Sequence, residues 1–250
     1  RWSFQNYIMF KSSRKKLMMV KKLEWFSVDN QEQFKLNKTK LKKYGWVNKD
    51  GTPVAIEYHI NKQNFRHDGT HKGYVNGGVM YVGDSEVFGV GNCLKDTLTY
   101  KAHYSSNLSS LPYYNFGVPS RGIETYYRII KEYISKIKPH TIVLIYPWES
   151  SRSEVWDVNK KDFYYIHLNT ELKRNKISSK ALMNMFDEVP STIRLNKNLE
   201  AIRWLCHTHN TQFIYIEKLP KDNEPSARDL VHHGREWHEE ASKELTLWLK

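Results

Sequence analysis

Val79-Met80-Tyr81-Val82-Gly83-Asp84-Ser85 is the stretch on which the reading of the fold turns. Four apolar residues in a row, cut off by glycine and aspartate, have the length and punctuation of a strand buried on both faces. Strands of that kind belong to parallel sheets covered by helices. The segments downstream keep the same rhythm. Residues 96–109 read as a helix, and residues 113–116 as a second short strand that ends at Gly117. Residues 121–138 place Ile123, Tyr127, Ile130, Ile134 and Ile137 at helical spacing, with Lys138-Pro139 as the stop. Residues 141–146 form a buried strand, 196–209 a helix, 211–216 a strand and 235–250 a terminal helix with Trp237, Ala241, Leu245 and Trp248 on one face. Tyr126, Tyr127, Trp204 and Trp237 are expected in the core. Alternation of this kind predicts an α/β fold, with a mainly parallel sheet between two helical layers. In such sheets ligands bind beyond the carboxyl ends of the strands, which is where Ser85 falls.

Upstream the pattern is different. Gly69, Gly73, Gly77 and Gly78 punctuate the approach to the first buried strand, and residues 53–60 read as a further strand. Residues 1–50 are lysine-rich with scattered aromatics and no clear period, and residues 11–22 could form a short basic helix. The expected organisation is a basic N-terminal extension over 1–50 and one α/β domain over 51–250. A stretch at about 150–192, rich in Asp, Asn, Lys and aromatics, is too long for an ordinary connection and reads as an insertion over one end of the sheet. Its Trp156, Phe163, Tyr164 and Tyr165 suit either a substrate wall or a small satellite core.

Composition limits the functional classes. With 250 residues, 40% hydrophobic and 14% aromatic, the chain can bury a sizeable core. The longest apolar run, about residues 142–148, is too short to span a bilayer, so no transmembrane segment is expected. No signal-peptide pattern is visible, and nothing assigns a compartment. Two cysteines, Cys93 and Cys206, exclude a disulfide scaffold and leave one bridge open. The net charge of +12 is concentrated in residues 1–76, which hold 16 Lys and Arg against 6 Asp and Glu. Such a patch suits a polyanion or an assembly partner, or serves only as a solvated arm. His207 and His209 end a helix, His67 and His71 lie in a glycine-rich loop, and His233 is expected to point away from His232. No metal constellation emerges, and no cofactor is implied.

A second motif, Asp229-Leu230-Val231-His232, stands just before the last helix. A carboxylate three residues before an imidazole can hold one ring nitrogen while the other faces a nucleophile. Alone, Gly-Asp-Ser fits a capped turn and Asp-x-x-His a surface turn. Their order is what discriminates: Gly-Asp-Ser at a strand end, then Asn115-Phe116-Gly117-Val118-Pro119-Ser120-Arg121-Gly122, then Asp-x-x-His before the final helix. In that order the blocks resemble the SGNH (GDSL) hydrolases over roughly residues 77–250. The resemblance implies a three-layer α/β/α sandwich with a five-stranded sheet in the order 2-1-3-4-5. It also implies ester hydrolysis through an acyl-enzyme, without metal or cofactor. Ser85 would be the nucleophile, His232 the base and Asp229 its orienting acid. The backbone N–H groups of Ser85 and Gly117 would form the oxyanion hole. The family's Gly-x-Asn-Asp block departs here to Tyr146-Pro147-Trp148-Glu149-Ser150-Ser151-Arg152, which resembles a divergent branch seen in phage and environmental bacterial sequences. Tyr58 to Asn61 and Phe65-Arg66 also resemble that branch. Trp148 and Arg152 become the candidate substrate-binding residues. The implied substrate is an acyl ester, and an acylated glycan would suit the basic arm and aromatic insertion. The alternatives are a non-catalytic SGNH-like binding or structural module, and a polyanion-binding protein acting through the basic region.

Overall fold

The computed structural model describes residues 21–69, 74–145, 152–157, 162–167, 179–217 and 224–250. Four strands form the central sheet: β3 (Val79–Gly83), β4 (Tyr113–Gly117), β5 (Thr141–Ile145) and β8 (Gln212–Ile216). They lie in the order β4-β3-β5-β8, and every neighbouring pair is parallel. Two shorter pairs stand apart: β1 (Lys21–Leu23) with β2 (Tyr58–Ile60), and β6 (Arg152–Asp157) with β7 (Asp162–His167), both antiparallel.

Alternation along the strands sorts the core into two layers. Met80 and Val82 join Ile142, Leu144 and Phe116 on one face, under helices α5 (Ile123–Ile137) and α7 (Glu188–Thr208). Val79 and Tyr81 join Val143, Ile145 and Ile214 on the other, under α4 (Leu98–Ser105) and α8 (Arg235–Trp248). Packing rather than intrinsic propensity holds α5 together. Isoleucine costs a few tenths of a kcal/mol in a helix, whereas each fully buried isoleucine side chain contributes on the order of 1.5–3 kcal/mol. Ile123, Ile129, Ile130, Ile134 and Ile137 are all buried there.

Several sequence expectations change. The sheet has four strands among the described residues, not five; the described chain after β8 runs through turns to α8. The strand expected over 53–60 shrinks to β2 and lies outside the main sheet. Lys21 and Lys22 sit in β1 rather than in a basic helix; residues 1–20 lie outside the described residues. The helix expected from 96 is a 3₁₀ turn, Leu94–Asp96, followed by α4. Helix α7 starts eight residues before the expected 196. Asp187 caps it by accepting the Glu188 N–H, and its first turns leave Val189 and Ile193 exposed, so no apolar stripe marks them. Within the expected insertion stand the β6–β7 hairpin and α6 (Ser179–Phe186). Trp204, expected in the core, is exposed, and so is Trp248, expected on one face with Trp237. Both cysteines are free thiols.

The stretch expected as a basic extension is built into the molecule from residue 21 onward. Helices α1 (Gln31–Leu36) and α2 (Lys38–Lys43) turn their lysines outward and bury Phe34 and Leu41. These two side chains and Trp46 pack in a third cluster with Ile56, Tyr58, Phe88 and Val90. A boundary at residue 50 therefore cuts through one packed cluster. No helix among the described residues is long and apolar enough to cross a membrane.

Candidate active site

Strand β3 ends at Gly83, where a side chain would meet the Ile145 carbonyl and Val87 at 2.5 Å. Asp84 then caps a single helical turn, α3 (Ser85–Phe88), by accepting the Glu86 N–H at 2.9 Å. Gly89 leaves that turn at φ 78°, a conformation that favours glycine. Arg66, fully buried, donates to the carbonyls of Phe88, Gly89 and Asn92 and so pins the exit of the turn. Ser85 stands first in α3 and is 5% exposed. Among the described residues its backbone N–H has no acceptor.

The second half of the site is the loop over residues 227–233. His232 Nδ1 lies 2.6 Å from Asp229 Oδ2, while Asp229 Oδ1 accepts the backbone N–H groups of Val231 and His232. Leu230 takes a left-handed φ of 55° to bring the two side chains together, a conformation that costs on the order of 1 kcal/mol or more for such a residue. Backbone bonds from Ala227 N–H to the His232 carbonyl and from Leu230 N–H to the Ala227 carbonyl close the loop. Burial disfavours the imidazolium of His232. The hydrogen bond and charge of Asp229, with Glu86 and Asp84 adding to them, outweigh burial and hold its pKa above the ordinary value. The carboxylates on either side of Ser85 thus both act on His232.

The two halves touch directly. The Arg228 N–H donates to the Gly91 carbonyl at 3.0 Å, and a side chain at Gly91 would meet Ala227 at 2.9 Å and the Asp229 carboxyl carbon at 3.2 Å. Glu86, next to Ser85, accepts the backbone N–H of His233 at 3.3 Å and faces its Nδ1 at 3.0 Å. His233, expected to point elsewhere, therefore points back at the serine turn.

The N-terminal segment braces this loop from behind. Asp29, 1% exposed, receives two bonds from the Arg228 guanidinium and one from the Tyr58 hydroxyl, which also accepts the Gly91 N–H. Arg228 also donates to the carbonyls of Val54 and Glu24, under the ring of Trp25. Trp46 donates its indole N–H to the Ser226 carbonyl.

The remaining candidates separate. Gly117 ends β4 in register with Gly83, and a side chain there would sit 2.2 Å from the Phe88 nitrogen. Its N–H is occupied, donating to Asn115 Oδ1 at 2.9 Å, and so is not presented as an oxyanion donor. The Val118 N–H is bound to the Gly83 carbonyl, and Pro119 has none. The next backbone donor on that loop is Ser120, exposed and at a left-handed φ of 61°. Arg152 opens β6 and places Nη1 3.3 Å from Oδ2 of Asp84, the residue before Ser85. Trp148 lies outside the described residues, as do the side chains of Trp156, Phe163, Tyr164 and Tyr165. Among the described residues no three His, Cys, Asp or Glu side chains are grouped to hold a metal ion.

No protein-family model matches the chain, and no curated protein matches it. Similar solved structures include an acetyl xylan esterase, Est2A, of the rumen bacterium Butyrivibrio proteoclasticus, at 13% identity and a TM-score of 0.38, covering 79% of this chain and 66% of that one. The lipase/acylhydrolase of Enterococcus faecalis is 14% identical with a TM-score of 0.32, over 69% of this chain and 97% of that one. At such identities and scores, the functional reading rests on the site's own residues.

Proposed function

We propose that the protein is a serine esterase of the SGNH type, with Ser85 as nucleophile, His232 as general base and Asp229 as its orienting acid. The observation that carries this reading is the 2.6 Å His232–Asp229 pair on a loop packed directly against the turn of Ser85. Asp229 takes the proton-bearing Nδ1, which leaves Nε2 free to accept the hydroxyl proton of Ser85. The serine oxygen attacks the ester carbonyl, and His232 returns the proton to the departing alcohol. Water then attacks the acyl-enzyme by the same route in reverse. The Ser85 N–H would donate to the oxyanion. With Gly117 occupied, the second backbone donor in this reading is Ser120, and Arg152, paired with Asp84, brings a cationic group to the residue before the nucleophile.

An acylated, anionic glycan remains the preferred substrate class, because Arg152 stands at the residue before the nucleophile and a guanidinium can pair with a carboxylate or phosphate substituent. The test is labelling by a fluorophosphonate followed by peptide mapping. Ser85 is expected to carry the label, and Ser85→Ala to lose both label and hydrolysis of short aryl esters. A wild-type chain that reacts at no serine sinks the reading in favour of a non-catalytic module. A polyanion-binding role is separate from that result. Lys35, Lys38, Lys42, Lys43 and Lys49 are all exposed on or beside α1 and α2, and salt-dependent binding of DNA or an acidic polysaccharide tests it.

A further inference from the structure

His233 is held by the turn of Ser85 and the segment that follows it through three of its polar groups. Its backbone N–H and its ring Nδ1 meet Glu86 Oε1, and its carbonyl accepts Asn92 Nδ2 at 2.8 Å. Its ring stacks on Trp237, with centroids 4.1 Å apart. Glu86 follows Ser85 in sequence and His233 follows His232. A carboxylate between the second members of these pairs sets the distance between the first members.

The surroundings of Glu86 show that stability alone does not explain it. Its side chain is 13% exposed, and no hydrogen-bond partner meets its buried Oε2 among the described residues. His238 Nε2 lies 3.5 Å from it. His238 is fully buried, and burial pushes its pKa down to about 3, so the ring is neutral. Its Nδ1 accepts the Leu98 N–H, which puts the ring proton on Nε2, 3.2 Å from the Asn92 amide nitrogen and 3.5 Å from Glu86 Oε2. A carboxylate in this pocket loses most of its hydration and recovers it only in part, a net cost that an apolar side chain would not carry. Burial accordingly holds the pKa of Glu86 above the ordinary carboxylate value.

We propose that Glu86 is a positioning residue of this site: through His233 it locks the turn that carries Ser85 to the loop that carries His232. The proposal rests on the reading of Ser85 and His232 given above. It implies that the Ser85–His232 alignment is set by two separate devices. Asp229 fixes the rotation of the imidazole, and Glu86 fixes the separation of the two chain segments.

The experiment uses the full chain and measures three things: the second-order rate of fluorophosphonate labelling at Ser85, kcat and KM on an aryl acetate, and the melting temperature. Glu86→Ala is expected to slow labelling and lower kcat by roughly 10²-fold, the scale of an ångström-sized misplacement of reacting groups, with KM little changed. Glu86→Gln keeps an oxygen that can accept from His233, and is expected to recover at least about tenfold of that loss by the same positional argument. A residue that served only the fold would lower the melting temperature without this split or this rescue. Should Glu86→Ala not fold, His233→Ala removes the ring contact while keeping the backbone donor, and a labelling rate between wild type and about 10² slower is expected. A wild type labelled at Ser85, with Glu86→Ala or His233→Ala labelled just as fast, overturns the proposal alone. An unlabelled wild type overturns the esterase reading and this proposal with it.

Discussion

His232 can accept a proton only when neutral, and Asp229 holds its pKa above the ordinary value against the opposing effect of burial. Activity should therefore fall as pH drops through that raised value. The acid limb of kcat/KM is expected above about pH 6.5, the unperturbed histidine value. Asp229→Asn removes the charge and the Nδ1 acceptor together. It should move the limb to lower pH and lower kcat by roughly 10²–10⁴, the range seen when a triad loses its orienting acid. pH–rate profiles of the two proteins decide the matter, and an unmoved limb would count against His232 as the base. Gly117 gives a second test at this scale. A methyl group there would stand 2.2 Å from the Phe88 nitrogen, in α3 itself. Gly117→Ala keeps the backbone N–H, so a donor role predicts near-normal activity. The packing predicts displacement of α3, a loss of about 1–3 kcal/mol in urea denaturation and a fall in labelling of Ser85. Ser85 and the Asp229–His232 pair could be singled out because strand ends and close spacing are local signals. Glu86 could not, because its partner His233 is 147 residues away. The occupied N–H of Gly117 was equally hidden, since Asn115 as readily faces elsewhere in an isolated strand.

Among the elements, the loop of residues 227–233 depends on a segment that precedes it by some two hundred residues. Arg228 and Asp29 are both about 1% exposed at the side chain and form a two-pronged pair. Removing one partner of such a pair leaves a buried charge uncompensated, which typically costs about 3–5 kcal/mol. Asp29→Ala is expected to destabilise the protein by that order in urea denaturation. It should also lower esterase activity below what the unfolded fraction explains, because Tyr58 and Gly91 lose their anchor at the same time. A loss of less than about 1 kcal/mol, the worth of an exposed ion pair, would mean that the brace is dispensable. The same element-scale view explains α3. Four residues make no stable helix alone, and this turn is kept by the Asp84 cap, by Arg66 on its carbonyls and by contact with Gly117.

For the molecule as a whole, the parallel β4-β3-β5-β8 sheet carries Ser85 at the carboxyl end of β3, and residues 21–58 pack against the turn of Ser85 and the loop of His232. Phe34, Leu41 and Trp46 pack with Phe88, the last residue of the turn that Ser85 opens, and with Val90 just beyond it. Each such side chain contributes on the order of 1.5–3 kcal/mol by burial, a large share of the 5–15 kcal/mol that a domain retains. A shortened chain beginning at residue 51 also loses Asp29 from Arg228. It is expected to aggregate or to lack near-ultraviolet circular dichroism and Ser85 labelling. A shortened chain that folds and labels normally would restore the reading of residues 1–50 as an appendage.

What the amino-acid order settled by itself was the layered α/β plan and the pairing of Asp229 with His232. Apolar runs of strand length, helical stripes such as Ile123 to Ile137, and a three-residue spacing are properties of neighbouring residues, and short-range sterics read them out. Tertiary structure alone decided the rest. It turned residues 21–50 from a charged arm into a brace anchored by a few buried side chains, because Phe34, Leu41 and Trp46 are too widely spaced to show a period and become a cluster only against Phe88 and Val90. It set the sheet at four strands among the described residues, and it brought Glu86 to His233. Buried polar groups must find partners wherever the fold supplies them, and distance along the chain carries no record of which partners those will be.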